Sequence, residues 1–304
     1  MSRFRDAVDD YLRIRRSLGY RLERHGRLLP DFADHLDQAG AATLTVAHAL
    51  AWASSPKGQP VNWCAERLSI VRGFAMWWAA TDPTVEIPPS DLLAWRPRRA
   101  VPHLLSTEQI AALLAATSRI RSCWRAATFH TLTGLLAVTG MRIGEALGLD
   151  RDDFDAQVGR VVVRAGKFGK TRQLPLHATT VAALADYLAL RDEQQRGQAT
   201  TALFVSLHDA RLSYSAAGDG FRQLVATAGI TPRPGARPPR LHDLRHSFVV
   251  NTVLDAYRTG ADVQALLPTL STYLGHVDPA ATYWYLSAAP ELLSLAGERL
   301  EQTP

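Results

Sequence analysis

The spacing of hydrophobic residues divides the chain into a helical first third and a longer, mainly helical second part. Up to about residue 95, apolar positions recur every three or four residues in four stretches, which predicts amphipathic helices. These stretches are FRDAVDDYLRIRRSLGY, LLPDFADHLDQAG, TVAHALAWAS and NWCAERLSIVRGFAMWWAA. Turn-forming residues separate them at Gly19, at Gly40 and in SSPKGQP. Residues 1–95 are therefore predicted to form a small helical bundle.

A stretch rich in proline and arginine follows the bundle. TDPTVEIPPSDLLAWRPRRAVPH covers residues 81–103, and its composition predicts an extended linker. The second domain is assigned to residues 96–304. Its first helix is predicted from LSTEQIAALLAA, which Ser106 or Thr107 can cap.

The second domain combines further helices with two short strands. FHTLTGLLAVTGMRIGEALGL is predicted to be helical, with a break near Thr139 and Gly140. GRVVVRAG and KTRQLPL predict two strands, and GKFGK between them predicts a hairpin turn. The remaining predicted helices cover about residues 178–196, 213–228, 241–258, 262–270 and 280–300. The predicted fold class is mainly α with a small antiparallel β-sheet.

The composition narrows the class of protein. Hydrophobic residues make up 47% of the 304 residues, enough for two packed cores. No apolar run is long enough to span a bilayer, and we predict neither a signal peptide nor a membrane partner. The two cysteines, Cys64 and Cys123, lack metal-type spacing. We therefore expect a cytoplasmic protein without a disulfide framework.

The charge balance is compatible with a polyanionic partner such as nucleic acid. The formal net charge is +5 and the sequence pI is about 9.5. Basic residues cluster at 13–27, 95–99 and 232–246. One such cluster is typical of a solvated surface. Three of them favour binding to a polyanion.

Lysine is rare among the basic residues. Only Lys57, Lys167 and Lys170 are lysines among 34 basic residues, and two of them lie in GKFGK. Lysine can release a proton near neutral pH when its pKa is lowered, whereas arginine cannot. The hairpin either requires a proton donor or carries two lysines by chance.

Two further stretches combine charged side chains on one helical face. TGMRIGEALGL places Arg142 at a helix start, with Glu145 three residues later. A guanidinium at the positive end of a helix suits a phosphate, although an ordinary surface ion pair has the same pattern. LHDLRHSF places His242, Arg245 and His246 on one face.

Histidines four residues apart also allow a zinc site or a place in the core. The usual metalloprotease motif has a glutamate where this chain has Asp243, and Arg245 would repel the metal.

In YLGHVDPAATYWYL, His276 follows a glycine turn, and Tyr285 comes nine residues later. Aromatic residues at this density are equally typical of packing.

Taken together and in chain order, the arginines, the lysine, the histidines and the tyrosine of these motifs suit phosphoryl transfer. No single motif indicates that chemistry as clearly. Arginines neutralise charge that develops on the phosphate oxygens. A lysine can protonate the leaving oxygen, and a histidine can accept a proton. A tyrosine can act as a covalent nucleophile.

These motifs resemble those of the tyrosine recombinases, or phage integrases, over about residues 103–300. The resemblance implies that Arg142 is the first catalytic arginine and that Glu145 supports it. HDLRHSF matches the H-x-x-R motif of that family, which implies catalytic roles for His242 and Arg245.

The same resemblance implies the remaining site residues. Alignment on the R-x-x-P-L end of the hairpin makes Lys167 the catalytic lysine, and LGH makes His276 a catalytic histidine. The nucleophile is implied to be Tyr285, with Asp243 and His246 in support.

Two positions depart from the family pattern. Hairpins of the family more often read G-K-G-x-K, and here Phe168 follows the first lysine. Tyr283 is a rival nucleophile two residues before Tyr285, and on a helix the two side chains point about 200° apart. STYLGH and TYWYLSAAPEL are similar to transposon-borne members.

The resemblance also implies a mechanism and an assembly. A helical, SAM-like core-binding domain would precede the catalytic domain. The enzyme would cut and rejoin double-stranded DNA through a 3′-phosphotyrosyl link, without a nucleotide cofactor or a metal. Four protomers would act on two DNA sites, with other recombinases or accessory proteins as further partners.

Three alternatives remain open at this point. A type IB topoisomerase-like enzyme uses the same chemistry, but the small helical first domain favours a recombinase. A DNA-binding protein without catalysis would not require the full residue set. A zinc hydrolase would use His242, His246 and His276, and metal analysis distinguishes it.

Overall fold

A computed structural model describes residues 2–55, 58–93, 102–164, 171–194, 200–232 and 237–275. The chain forms two compact units, Met1–Arg99 and Ala100–Pro304. Among the described helices, none has the length and apolar character needed to cross a bilayer. The predicted fold class, mainly α with a small antiparallel sheet, is confirmed.

The described part of the first unit contains the four predicted helices. They are α1 (Arg3–Ser17), α2 (Glu23–Gln38), α3 (Val46–Ala53) and α4 (Val61–Trp78). Each apolar face is buried in one core that includes Phe32 and Phe74, both fully buried. Burial of large aromatic side chains dominates the stability of such a small bundle.

Residues 81–93 are not the extended linker that their composition predicted. Val85 is 6% exposed and belongs to the core of the first unit. The Glu86 backbone N–H donates to the Leu44 carbonyl at 2.9 Å, and its carboxylate accepts from the Val46 N–H at 2.7 Å. This segment therefore covers the start of α3, and the part of the predicted linker at 94–101 lies outside the described residues.

The second unit contains seven α-helices within its described residues. They are α5 (Thr107–Ala116), α6 (Cys123–Thr139), α7 (Ile143–Gly148), α8 (Ala178–Gln194), α9 (Tyr214–Thr227), α10 (Leu241–Arg258) and α11 (Val263–Leu274). Ser106 caps α5 through a hydrogen bond from the Gln109 N–H. Helix α6 packs centrally against α8 and α10.

Two boundaries differ from the sequence prediction. Helix α6 begins at Cys123, because Ser122 caps it ahead of the strongly apolar stretch. Helix α11 continues to Leu274 through Pro268. Burial of Leu270 and Leu274 favours helix there, which offsets the backbone hydrogen bond that proline cannot donate. The predicted helix at 280–300 lies outside the described residues.

The sheet has three antiparallel strands in the order β1 (Phe154–Asp155), β2 (Arg160–Val163), β3 (Arg172–Pro175). The two predicted strands are β2 and β3, and Val163 pairs with Arg172 at the end that leads into the hairpin. The inward side chains Val161 and Leu174 are buried in the core. Strand β1 was not predicted, because two residues are too few to show alternation.

Candidate active site

The first arginine lies at a sharp change of direction between two helices. Helix α6 ends at Thr139, its C-cap Gly140 has a left-handed φ of 58°, and α7 begins directly after Arg142. The Glu145 carboxylate accepts hydrogen bonds from the Arg142 backbone N–H and from its guanidinium Nη1, both at 2.9 Å. The pairing expected from TGMRIGEALGL is therefore present. The Arg142 side chain is 25% exposed, so it remains accessible to a ligand.

A second arginine, which the sequence reasoning missed, contacts the same carboxylate. Arg172, at the start of β3, donates from Nη1 to Glu145 Oε1 at 3.0 Å and from Nη2 to Oε2 at 2.7 Å. Its Nε donates to the Tyr273 carbonyl at 3.0 Å. The only sequence signal was its place in the R-x-x-P-L stretch, which served to align the hairpin.

The two guanidinium groups keep Glu145 ionised. Burial alone would raise the pKa of this carboxyl group. Hydrogen bonds from Arg172 and from the backbone and side chain of Arg142 outweigh burial and lower the pKa to about 2. Glu145 is therefore a permanent anion at physiological pH.

The third arginine, Arg245, is 1% exposed on α10. Its Nη1 donates to the Gly140 carbonyl at 2.7 Å, and its Nη2 donates to the Leu274 carbonyl at 3.0 Å. These bonds connect α10 to the end of α6 and to the end of α11.

The carboxyl end of α11 brings all three arginines together. Arg142 donates from Nη1 to the Leu274 carbonyl and from Nη2 to the Gly275 carbonyl, both at 3.4 Å. Arg142 and Arg245 thus share the Leu274 oxygen, so these two guanidinium groups lie side by side. The carbonyls of a helix end carry partial negative charge, which stabilises the clustered cations.

The two histidines of LHDLRHSF also lie together. The rings of His242 and His246 are 4.7 Å apart between centroids and meet edge to face at 88°. Burial, followed by the charge of Arg245, lowers the pKa of His242. Burial, followed by the proximity of His242, lowers the pKa of His246 to about 3. Both imidazoles are therefore neutral at pH 7, and a neutral imidazole can accept a proton.

Asp243 fixes the start of α10. Its buried carboxylate accepts from the Arg240 N–H at 2.8 Å and from Arg237 Nη2 at 3.1 Å. Burial raises the pKa of Asp243, and the guanidinium of Arg237 opposes this rise. Ser247 Oγ donates to the Asp243 carbonyl and accepts from the Leu105 N–H. These contacts position the helix that carries His242.

Three predicted site residues, Lys167, His276 and Tyr285, lie outside the described residues, as does Tyr283. Strands β2 and β3 flank the hairpin stretch in the sequence, and Gly275 directly precedes His276. In the described part of the chain, no group of three or more His, Cys, Asp or Glu side chains could hold a metal ion.

Gly140 is predicted to be intolerant of any side chain. A Cβ atom there would lie 2.3 Å from Phe248 Cδ1, and its left-handed φ strains any other residue. We expect Gly140→Ala to lower the free energy of unfolding by about 2 to 4 kcal/mol, measured by chemical denaturation. Gly144→Ala is the matched control, because a Cβ atom at Gly144 meets nothing within 4 Å. Equal losses in both variants would contradict this account.

The buried histidine is predicted to make stability depend on pH. Folding lowers the pKa of His246 from 6.5 to about 3. As the pH falls below 6.5, this imidazole is therefore protonated in the unfolded chain while it stays neutral in the folded chain, which favours unfolding. Between pH 6.5 and 4.5 the wild type should lose about 2 kcal/mol more unfolding free energy than His246→Gln. Denaturation at each pH measures this, with the exposed His208→Gln as control. Parallel pH profiles for wild type and His246→Gln would contradict the prediction.

The comparisons with known proteins agree with the fold. Residues 103–291 match the phage integrase family. The chain is 43% identical to the integrase/recombinase y4rB of Sinorhizobium fredii, over 99% of this chain and 98% of the relative. It is 34% identical to the tyrosine recombinase XerD of Mycobacterium tuberculosis, over 62% of this chain and 58% of the relative.

Solved structures share the fold. The Tn1549 transposon integrase in complex with transposon right end DNA matches with a TM-score of 0.66 at 17% identity, over 98% of both chains. The XerH site-specific recombinase bound to its difH substrate matches with a TM-score of 0.65 at 19% identity, over 90% of this chain and 78% of XerH.

By class, this protein is a tyrosine-type DNA strand-exchange enzyme. The resemblance noted in the motifs is confirmed, since the family match covers more than half of the chain. The chain belongs to the phage integrase family.

Proposed function

We propose that this protein cuts and rejoins double-stranded DNA at specific sites through a covalent 3′-phosphotyrosyl intermediate. The observation that supports it most is the convergence of Arg142 and Arg245 on the Leu274 carbonyl. Two guanidinium groups side by side offer a phosphate diester parallel N–H donors. They also neutralise charge that develops when the phosphorus atom becomes five-coordinate.

In the proposed reaction, the Tyr285 hydroxyl oxygen attacks the scissile phosphorus. The new bond joins tyrosine to the 3′-phosphate, and the bond from phosphorus to the 5′-oxygen breaks. Lys167 donates a proton to that leaving oxygen, which becomes a 5′-hydroxyl. His242 assists by accepting the tyrosine proton, and His276 binds a phosphate oxygen with the two arginines. Attack by a 5′-hydroxyl from another strand reverses these steps.

The proposed cycle requires neither a nucleotide cofactor nor a metal. The phosphotyrosyl bond retains the energy of the phosphodiester that it replaces, so rejoining needs no second energy source. The arginines supply the charge stabilisation that metals supply in many other phosphoryl-transfer enzymes.

Exposed arginines of the first unit support DNA as the partner. Arg16, Arg21 and Arg27 are exposed on or beside α1 and α2. Such side chains bind the phosphate backbone without reading sequence. XerH and the Tn1549 integrase were solved as DNA complexes. We expect the protein to act at the nucleoid.

The proposed assembly is a homotetramer on two DNA sites, with strand exchange through a Holliday junction. A lambda integrase solved as a dimer on a core site supports an assembly of several protomers. The transposon integrase among the structural neighbours favours a mobile element as the host of this enzyme, with other recombinases or accessory proteins as further partners.

The experiment uses a nicked duplex that carries the end sequence of the element in which this protein is encoded. The nick releases the short 5′-hydroxyl fragment after cleavage, which traps the covalent intermediate. We expect a protein–DNA adduct on a denaturing gel, formed equally in EDTA, and none on a duplex without the site. Tight binding without an adduct would favour the non-catalytic DNA-binding alternative. An adduct that EDTA prevents would contradict the metal-free mechanism.

A further inference from the structure

We propose that Arg172 is a positioning residue for strand cleavage, acting through Glu145 on Arg142. This inference rests on the proposed function and adds a residue to it. Arg172 is 15% exposed and Glu145 is 8% exposed at the side chain, so the pair is shielded from water. Charge-assisted hydrogen bonds in such surroundings are directional and strong.

Arg172 uses its three side-chain nitrogens for two different partners. Nη1 and Nη2 bind both oxygens of the Glu145 carboxylate, and Nε binds the Tyr273 carbonyl. A lysine has a single nitrogen and cannot reproduce this planar fork. The geometry therefore specifies arginine rather than positive charge alone.

These bonds connect the three elements from which separate catalytic groups extend. Arg172 opens β3, shortly after the hairpin stretch with Lys167. Glu145 lies in α7, next to Arg142. Tyr273 lies in the last turn of α11, which the chain leaves just before His276. One side chain thus fixes the relative positions of these three elements.

The same contacts determine how much of Arg142 remains available to a phosphate. Arg172 occupies Oε2 of Glu145 and shares Oε1 with Arg142 Nη1. Without Arg172, both carboxylate oxygens could bind the Arg142 guanidinium. That pairing would neutralise Arg142 and turn it away from the phosphate. With Arg172 bound to the carboxylate, Glu145 orients Arg142 without occupying its whole guanidinium group.

Gly275 supports this arrangement by its close packing. A Cβ atom at Gly275 would lie 3.1 Å from Arg172 Nη1, and its φ of 66° is left-handed. The turn that ends α11 thus brings the backbone close against the Arg172 guanidinium. This proximity leaves little room for another orientation of the side chain.

The test compares Arg172→Ala, Arg172→Lys, Glu145→Gln and the double variant Arg172→Ala with Glu145→Gln. Single-turnover adduct formation on the nicked duplex, affinity by gel shift and thermal stability are measured for each. Arg160→Ala is the matched control, because Arg160 lies on the neighbouring strand with a partly exposed ion pair to Asp155.

We expect both Arg172 variants to cleave about 10 to 100 times more slowly than wild type, with DNA affinity changed less than about threefold. Arg160→Ala should cleave like wild type. The double variant should be no slower than the slower single variant, because both substitutions remove the same connection.

If the two single-variant reductions in cleavage rate multiply in the double variant, the inference is overturned, because Arg172 would then act independently of Glu145. Wild-type cleavage by Arg172→Lys would overturn it as well, because charge alone would suffice. Equal losses of affinity and cleavage would indicate a DNA-binding residue instead. If Arg172→Ala does not fold, Arg172→Lys decides the question. If the wild type forms no adduct, the proposed function fails, and the inference fails with it.

Discussion

Replacing Tyr285 with phenylalanine is expected to abolish covalent adduct formation while DNA affinity stays at the wild-type level. The substitution removes only the hydroxyl oxygen that forms the bond to phosphorus. Loss of a covalent nucleophile typically lowers the rate by at least about a thousandfold, because phenylalanine has no atom that can form the bond to phosphorus. The measurement is the initial rate of adduct formation on the nicked duplex, beside a gel-shift titration.

Tyr283→Phe is the matched control for this prediction. It removes the same atom two residues earlier, and in the predicted helix the two side chains would point about 200° apart. We expect this variant to form the adduct normally. Loss of the adduct in Tyr283→Phe, with retention in Tyr285→Phe, would keep the chemistry but reassign the nucleophile.

Arg245→Lys is expected to lower cleavage about 100 to 1,000 times and to destabilise the second unit. Arg245 donates to two carbonyls on different elements, Gly140 and Leu274, and it is almost completely buried. A lysine retains the charge but cannot reach both oxygens and a phosphate in one plane. An unsatisfied buried carbonyl should lower the free energy of unfolding by about 1 to 3 kcal/mol.

Arg258→Lys on the same helix is the control for that substitution. Its side chain is 66% exposed in the last turn of α10, where Nη1 lies 3.5 Å from Asp255 Oδ1. Such surface pairs contribute little to stability. We expect neither cleavage nor chemical denaturation to change. Equal behaviour of the two variants would show that the carbonyl contacts of Arg245 do not matter.

The helices and the β2–β3 pair could be predicted because their signals are local. Apolar spacing, capping residues and turn glycines lie within a few positions of each element that they specify. Gly140 is an example, since the break between α6 and α7 falls where the sequence indicated. The motifs also made Arg142, Glu145, His242 and Arg245 candidate site residues, and their catalytic roles stay a prediction.

The contacts that assemble the site could not be predicted from those local signals. Arg172 meets Glu145 and Tyr273 only because the sheet, α7 and α11 pack together, and these residues are distant in the sequence. An arginine at the start of a strand gives no indication of such partners. The shared acceptor at Leu274 is a backbone carbonyl, which has no sequence signature.

The linker prediction was wrong over residues 81–93 for a related reason. Proline and arginine suggested an extended segment, but composition does not show where a single apolar side chain packs. Val85 fills a site in the first core, and Glu86 binds the backbone at the start of α3. The contacts of Val85 and Glu86 therefore hold this segment against the first unit, although the composition of the neighbouring residues favours an extended chain.

The central claim is that a tyrosine of this chain becomes joined to a DNA 3′-phosphate. The most direct measurement is fragmentation mass spectrometry of the peptide released from the trapped adduct after nuclease and protease digestion. We predict a nucleotide remnant on Tyr285, linked through its 3′-phosphate. A remnant on a residue that is not a tyrosine, or one linked through a 5′-phosphate, would contradict it.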